Sequence, residues 1–597
     1  MNSDAQSALP AFGHVVPVHV RRIILAGARL RGQDQLLQSR GMEVLACDLD
    51  CAGLPTDTQF DAVALDGMGL APDVALTLLR RLVPVLSPHG LLLCVDGPST
   101  VTGALEQLGF AASDSTDCAL EGTRIRVVRA LRCDYSLREH ARRLRAEGRP
   151  DLAFCVLREV SLQQLPSDEE AAALAVETQV SLLDLDGKTR GAGRLPHFWL
   201  SQMAFYQCAA RAPGHALAYQ CQAEFWRRIG SPEMGRRLLR SVERIAPSAA
   251  AQQQRASYEG KAEAAPRPIP DPPEWDRSWK PRVLFITHPR IDYGLDTLCD
   301  GLRRVLGDGR FVEYPWKPSL HGDVPPRLAN YPCCFNHPGS PTTLDAVLAQ
   351  LRGGEFDLLL FGDTELNIDR DEARRIAQAA TIPWVLIDQG DDPLDRRAEA
   401  MAYLARSDMP ICFKREMLAC HDYGDNFFPL PFAYPDGRIP AEVSETRDNG
   451  LFWAGHRQFG LRRLYLECLE AIRGRRFDAN YTQEEYARAL SGSRIGLSLF
   501  GGGFDTVRYW ELPAHGCMLL AERPPIRIPY DFEDGVSALF FGDVPEFEAR
   551  LDQCLSKPEL VGRVAAAGHD RLRRYHTAPA RAAQILTRLS RNATPFG

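Results

Sequence analysis

The chain has 597 residues, 45% of them hydrophobic and 25% charged, with a net charge of −7 at pH 7. At about 100–200 residues per domain this length excludes a single core, and the ordinary globular balance excludes a disordered or collagen-like chain. The acidic balance, without any Lys/Arg-rich run, speaks against a general nucleic-acid binder. No stretch approaches the ~18 uncharged apolar residues of a membrane helix. The opening MNSDAQSALPAFGHVV lacks a basic segment followed by an apolar one, so no export signal and a cytoplasmic location are expected. The 16 cysteines contain no CxxC pair; reduced thiols are predicted, with no metal or disulfide framework.

Residues 14–132 read as a Rossmann-like α/β domain. RRIILAGA (21–28), EVLACDLD (43–50), FDAVALD (60–66) and GLLLCVDG (90–97) are buried-strand candidates, and ALTLLRRLVPVL (75–86) has helical spacing. Strands alternating with helices imply a parallel sheet. FDAVALDGMGLAPDVALTLLRRLVPVLSPHGLLLCVDG resembles the second half of a class I S-adenosylmethionine methyltransferase, with Ser87-Pro88-His89-Gly90 at that family's turn. LGF (108–110) and TRIRVVRAL (123–131) resemble its closing hairpin. The chain departs from the family after its first strand. Ala26-Gly27-Ala28-Arg29-Leu30-Arg31-Gly32 puts Cβ groups and an arginine where glycines should admit a cofactor. Asp48 or Asp50 could still hold a ribose, but a degenerate scaffold or docking domain is expected.

Residues 133–250 read as helical. In 215–247, Ala223, Trp226, Gly235, Leu239, Val242 and Pro247 fall at positions resembling a tetratricopeptide repeat. An earlier unit (139–160) carries Ala141, Leu144, Ala153, Leu157 and Val160 at the same offsets. Such a segment would be a generic helical bundle or a short solenoid offering a groove to a polypeptide. Residues 251–280, which contain PRPIPDPPEW, read as a Pro-rich linker.

Two further Rossmann-like units follow, 281–440 and 441–597. In the first, PRVLFITH, FDLLLFGD and PWVLIDQGDD are strands ending in polar groups; ligands bind beyond such carboxyl ends. In the second, TQEEYARALSGS is a helix entered through Thr482 with Glu485 in capping-box position. RIGLSLFGGG runs into three glycines, and FDTVRYWELPAHG is a short helix. Two such units form a cleft suited to a two-substrate transfer from which water is kept.

The stretch TQEEYARALSGSRIGLSLFGGGFDTVRYWELPAHGCMLL resembles the nucleotide-sugar domain of GT-B glycosyltransferases of the spore-maturation CgeB-like group. Tyr486, Ile495, Leu497, Thr506, Arg508, Glu511, Ala514 and Gly516 carry the likeness. LIDQGDDP (386–393) and PLPFAYP (429–435) resemble that group's first domain and interdomain crossing. The resemblance implies a nucleotide-diphosphate sugar donor (UDP-, GDP- or dTDP-linked), held by Gly501, Gly502, Gly503, Thr506 and Arg508. It implies that Glu511 hydrogen-bonds the ribose. The residue types suit this chemistry. Glycines expose backbone N–H groups, a helix start adds its dipole, and an arginine neutralises a leaving diphosphate. Gly455, Arg457, Arg462 and Arg463 are further phosphate candidates, and Tyr486 completes the donor set. Many retaining GT-B enzymes have a second glutamate eight positions before the first; here that position is Gly503.

A base for the acceptor hydroxyl should project from the first unit. His288 meets that requirement, with Asp292, Asp363, Asp388 and Asp391 as rivals. No DxD motif is well placed, and GT-B transfer resembles metal-free catalysis, so neither metal nor cofactor is expected. The reading is a bacterial, cytoplasmic hexosyltransferase-type enzyme acting on a protein or saccharide hydroxyl, the helical region contributing to a protein acceptor. The alternatives are a methyltransferase with accessory domains and a non-catalytic scaffold with a vestigial transferase fold.

Overall fold

The computed structural model describes residues 11–592 except 18–19, 50–53, 56–57, 68–69, 96–103, 121–122, 133–136, 159–166, 191–192, 267, 272–278, 325–332, 444–446, 448 and 478–480. The fold is mixed α/β, with three Rossmann-like sheets and many helices. The chain divides into two compact units, residues 1–165 with 180–185, and residues 166–179 with 186–597.

The first unit is built on strands β1 (Arg22–Ala26), β2 (Glu43–Cys47), β3 (Phe60–Asp66), β4 (Leu86–Val95), β5 (Phe110–Leu120) and β6 (Thr123–Arg132), with helix α1 (Pro72–Leu82) between β3 and β4. The sheet order is β2-β1-β3-β4-β6-β5. The first four strands pair in parallel, and β6 runs antiparallel to both neighbours, which is the expected closing hairpin. Apolar runs such as Ile23-Ile24-Leu25 are buried on both faces, as a covered parallel sheet requires. The predicted turn at Ser87–Gly90 lies within β4 as an irregularity: Phe60 pairs with Leu86, whereas Ala62 pairs with Leu91.

After β1 the turn is closed by side chains. Gly27 has φ +121°, and a Cβ there would meet Asp66 Cβ at 2.6 Å. Arg29 Nε donates to Asp66 Oδ2 at 2.9 Å, and Arg31 pairs with Asp48. The backbone that a cofactor would approach is thus taken up by ion pairs; Asp50 lies outside the described residues. The hairpin of helices Leu137–Ala146 and Pro150–Arg158 belongs to this unit, so the helical stretch 133–250 is divided between the two units.

The second unit takes most of the helix Asp168–Asp186 and continues with helices α2 (Arg194–Arg211), α3 (Ala216–Arg228) and α4 (Pro232–Ile245). α3 and α4 pack closely at Gly235, where a Cβ would lie 2.8 Å from the Ala223 carbonyl oxygen. Part of the predicted linker is helical, Ala249–Ala256.

The first lobe carries β7 (Val283–Ile286), helix α5 (Tyr293–Leu306), β8 (Phe311–Tyr314), β9 (Leu358–Phe361), β10 (Trp384–Asp388), β11 (Ile411–Lys414) and β12 (Phe427–Pro429). These form an all-parallel sheet in the order β12-β11-β10-β9-β7-β8. The second lobe carries β13 (Asn449–Phe452), α6 (Arg462–Arg473), α7 (Gln483–Ser491), β14 (Ser493–Ser498), α8 (Val507–Ala514), β15 (Met518–Glu522), β16 (Leu539–Phe541) and α9 (Pro558–Tyr575). Its four strands pair in parallel in chain order. The Thr482/Glu485 capping box opens α7 as expected.

The last helix, α10 (Ala578–Asn592), crosses back to the first lobe. Its Ala582, Ile585, Leu586 and Leu589 are buried with Val283, Phe285, Leu295 and Leu360. The two crossings meet: Tyr434 N–H donates to the His576 carbonyl and Ala578 N–H to the Tyr434 carbonyl, each at 2.9 Å. Among the described residues no helix is long and apolar enough to cross a membrane.

Candidate functional site

The carboxyl ends of β7, β9 and β10 open onto a cavity of about 580 Å³. His288, Asp292, Asp388 and Asp391 all line it. His288 is 4% exposed, its Nδ1 has no hydrogen-bond partner, and its Nε2 lies 3.7 Å from Asp292 Oδ2. Asp292 is the N-cap of α5, accepting the Leu295 N–H at 2.8 Å. Burial pushes its carboxyl up. The hydrogen bonds from His288 and Leu295 and the Lys317 charge outweigh that and leave it below the ordinary carboxylate value.

A buried ion pair holds this corner. Lys317 Nζ lies 2.8 Å from Asp296 Oδ1 and donates to the carbonyls of His288 (2.8 Å) and Arg290 (2.7 Å). Asp296 Oδ2 accepts the Asp292 N–H at 3.2 Å. Burial brings the Lys317 ammonium down to about 8, against the pull of Asp292. Asp388 is matched by buried Lys414 at 2.7 Å, and Asp391 by Arg415. Asp363 does not line the cavity: it closes its own turn, accepting from Asn367 Nδ2 at 2.7 Å and the Ile368 N–H at 2.6 Å.

Across the cleft lies the glycine loop after β14. Gly501 faces the second lobe, where a Cβ would come within 3.2 Å of the Arg462 guanidinium and the Thr506 methyl. Gly502 lies against the Asp391 carboxylate, and Gly503 against Arg415 and Glu416. The Phe504 N–H donates to both Glu416 oxygens at 3.0 Å. Two of the three glycines therefore admit side chains of the opposite lobe, and Asp391 belongs to both the cavity and this contact.

Arg462 lies at Gly501, and in the same lobe Arg508, Glu511 and Tyr486 form a cluster of their own. Arg508 Nη1 is 3.1 Å from Glu511 Oε2, one helical turn along α8, and its guanidinium stacks 5.2 Å from the Tyr486 ring centre. The Tyr486 hydroxyl donates to the same Glu511 oxygen. Arg462 donates to the carbonyls of Phe500 (2.8 Å) and His456 (3.3 Å), and no carboxylate pairs with it among the described residues. Burial, then repulsion from Arg508, lowers its guanidinium to about 10. Gly455 has φ +153°, and a Cβ there would lie 3.4 Å from Arg462 Nη1. Thr506, the α8 N-cap, makes no side-chain cap bond and lies 3.4 Å from the Ser498 hydroxyl. Arg457 and Arg463 are engaged elsewhere: Arg457 forms a two-bond pair with Glu470, and Arg463 binds Glu467 and the carbonyls of Ala210 and Arg211.

Several residues escaped sequence reasoning. Lys317 and Lys414 are two of only six lysines in an Arg-rich chain, and that scarcity was the available signal. Arg415, Glu416 and Trp199 offered none. Buried Glu522, at the end of β15, accepts the Phe500 N–H at 2.9 Å just before the glycine loop; burial pushes its carboxyl to about 7.

Residues 457–587 match the family model "Glycosyl transferase-like". No curated protein matches the chain. Among solved structures, Anabaena HepE in complex with UDP is 11% identical, covering 52% of this chain and 100% of its own, with TM-score 0.35. An O-GlcNAc transferase mutant from Thermobaculum terrenum is 14% identical over 77% of this chain and 96% of its own, with TM-score 0.30. Burkholderia thailandensis 1,6-didemethyltoxoflavin-N1-methyltransferase is 17% identical over 19% of this chain and 72% of its own, with TM-score 0.17. The stretch from Arg457 to Thr587 thus carries a glycosyl transferase-like sequence, on a chain whose C-terminal half has two Rossmann-like lobes.

Proposed function

We propose that the chain is a GT-B glycosyltransferase that moves a hexosyl group from a nucleotide-diphosphate sugar to an acceptor hydroxyl. The observation that carries this is the Arg508–Glu511–Tyr486 cluster together with Arg462 at Gly501, within the glycosyl transferase-like segment. The glycine loop there also touches Asp391 of the opposite cavity. In this reading Glu511 accepts ribose hydroxyls, and Arg508 and Arg462 neutralise the diphosphate. The bare α8 N-terminus adds its dipole. His288, oriented by Asp292, takes the acceptor proton as the acceptor oxygen bonds to the sugar carbon. The bond from that carbon to the diphosphate breaks, its electron pair staying on the phosphate oxygen. Arg415 and Glu416, in contact with the glycine loop, hold the two walls together. The N-terminal sheet serves as a scaffold, because ion pairs fill its cofactor turn. No resident metal or cofactor enters the scheme.

The test is release of free nucleotide from UDP-, GDP- and dTDP-sugars, with water as the acceptor. At least one donor should be turned over by wild type, and His288→Ala should reduce that turnover about 10²-fold or more while donor binding persists. Turnover of none, or a fully active His288→Ala protein, contradicts the scheme.

A further inference from the structure

The cavity beneath His288 has one wall from outside the two lobes. Trp199, on α2 of the helical segment, lines it together with Glu399, Asp391 and Glu365. The indole is half-buried, and among the described residues neither a ring nor a hydrogen-bonding group meets it. The other aromatic residues of the cavity are occupied. Tyr293 packs edge-on against Phe432 at 4.9 Å, and Phe432 lies under the Arg415 guanidinium at 4.1 Å. A tryptophan with an unused face and an unused N–H at a polar cavity is disposed to receive a ligand. His288 lines the same cavity, 4% exposed and with an unbonded Nδ1.

The charges narrow the ligand. Six carboxylates line the cavity and only two guanidiniums. Arg396 is paired with Asp392 at 2.6 Å and Glu399 at 2.9 Å. Arg415 is held by Asp391, by Glu416 at 3.1 Å and by Asp505 at 3.4 Å. Asp388 is likewise paired with Lys414 and Glu365 with Arg290, so among the described lining residues no unpaired cation meets a phosphate or carboxylate, and an incoming anion would have to compete with ion pairs already formed. Carboxylates accept hydroxyl hydrogen bonds, and an indole face covers the C–H face of a ring.

We propose that Trp199 is the stacking platform for the acceptor, and that this acceptor is an uncharged sugar ring. The helical segment thereby completes the acceptor site. The proposal rests on the transferase reading for the word "acceptor", but its test does not require turnover.

Binding of the methyl pyranosides of glucose, galactose, mannose and N-acetylglucosamine, and of methyl glucuronide, is measured on the full chain by saturation-transfer NMR. At least one uncharged pyranoside should bind, and the glucuronide at least tenfold more weakly. Trp199→Ala should weaken the sugar at least tenfold and Trp199→Phe less than threefold, with the melting temperature of both variants held. Binding of no uncharged pyranoside, equal binding of the glucuronide, or undiminished binding by Trp199→Ala overturns the proposal. Displacement of the sugar by a Ser/Thr peptide at lower concentration also overturns it, in favour of a polypeptide acceptor. Nucleotide-sugar binding on the same wild-type sample separates the two failures: its absence sinks the transferase reading, whereas its presence without sugar binding sinks this one.

Discussion

Lys317 spends its ammonium on three partners, Asp296 and the carbonyls of His288 and Arg290. It therefore acts on the cavity through the loop that carries His288, as a positioning residue. Lys317→Met leaves Asp296 charged and buried without its counter-ion, at a cost of about 3–5 kcal/mol. The double change Lys317→Met/Asp296→Asn removes that orphaned charge. It should regain much of the melting temperature while nucleotide release stays at least tenfold down and donor affinity is unchanged. Recovery of turnover along with stability would mean that the pair serves the fold alone. His288 and Asp292 were legible in the sequence because a strand-end histidine and a helix-capping aspartate have local signals. Lys317 pairs with Asp296 across 21 positions of chain, and no periodicity encodes such a contact.

The glycine loop and the last helix are the elements on which the cleft depends. Glu522 supports the loop through the Phe500 N–H, and burial holds its carboxyl at about 7 against an ordinary 4.5. The folded state thus binds this proton more tightly than the unfolded one. The associated stability is fully present below pH 4.5 and is lost as pH rises toward 7. A shift of that size corresponds to about 3 kcal/mol. Glu522→Gln keeps an acceptor for Phe500 without the charge, so its melting temperature relative to wild type should climb between pH 5 and 8. A constant difference across that range would refute the assignment. Gly501, Gly502 and Gly503 stand out in the sequence as a run that exposes backbone. Their surroundings do not, since Asp391, Arg415 and Glu416 come from another lobe. In α10, Leu586 is fully buried in the first lobe's core. Leu586→Ala should cost about 2–5 kcal/mol, read as a lowered melting temperature. A change under 1 kcal/mol would indicate that the helix is not docked there. Sequence reading places this segment in the second lobe because it follows that lobe's strands, and apolar spacing says that a helix packs without saying on what.

At the scale of the whole molecule, alternating strands and helices make the three sheets legible, as does the crossing near Tyr434. The assembly of helical segment and lobes is not legible. Arg240 reaching Asp543 at 2.6 Å and Arg463 reaching the Ala210 and Arg211 carbonyls join residues hundreds of positions apart. These contacts bind the helical segment to the second lobe and frame the site described above. The central claim is that this lobe holds the nucleotide of an activated sugar. Calorimetric titration of UDP, GDP and dTDP into wild type, Arg508→Ala and Glu511→Ala tests it most directly. The account predicts that at least one nucleotide binds wild type, and that each substitution weakens it about 10–100-fold, the range of hydrogen bonds to charged groups, with the melting temperature of the apo protein little changed. Binding of none of them, or equal affinity in all three proteins, would contradict it.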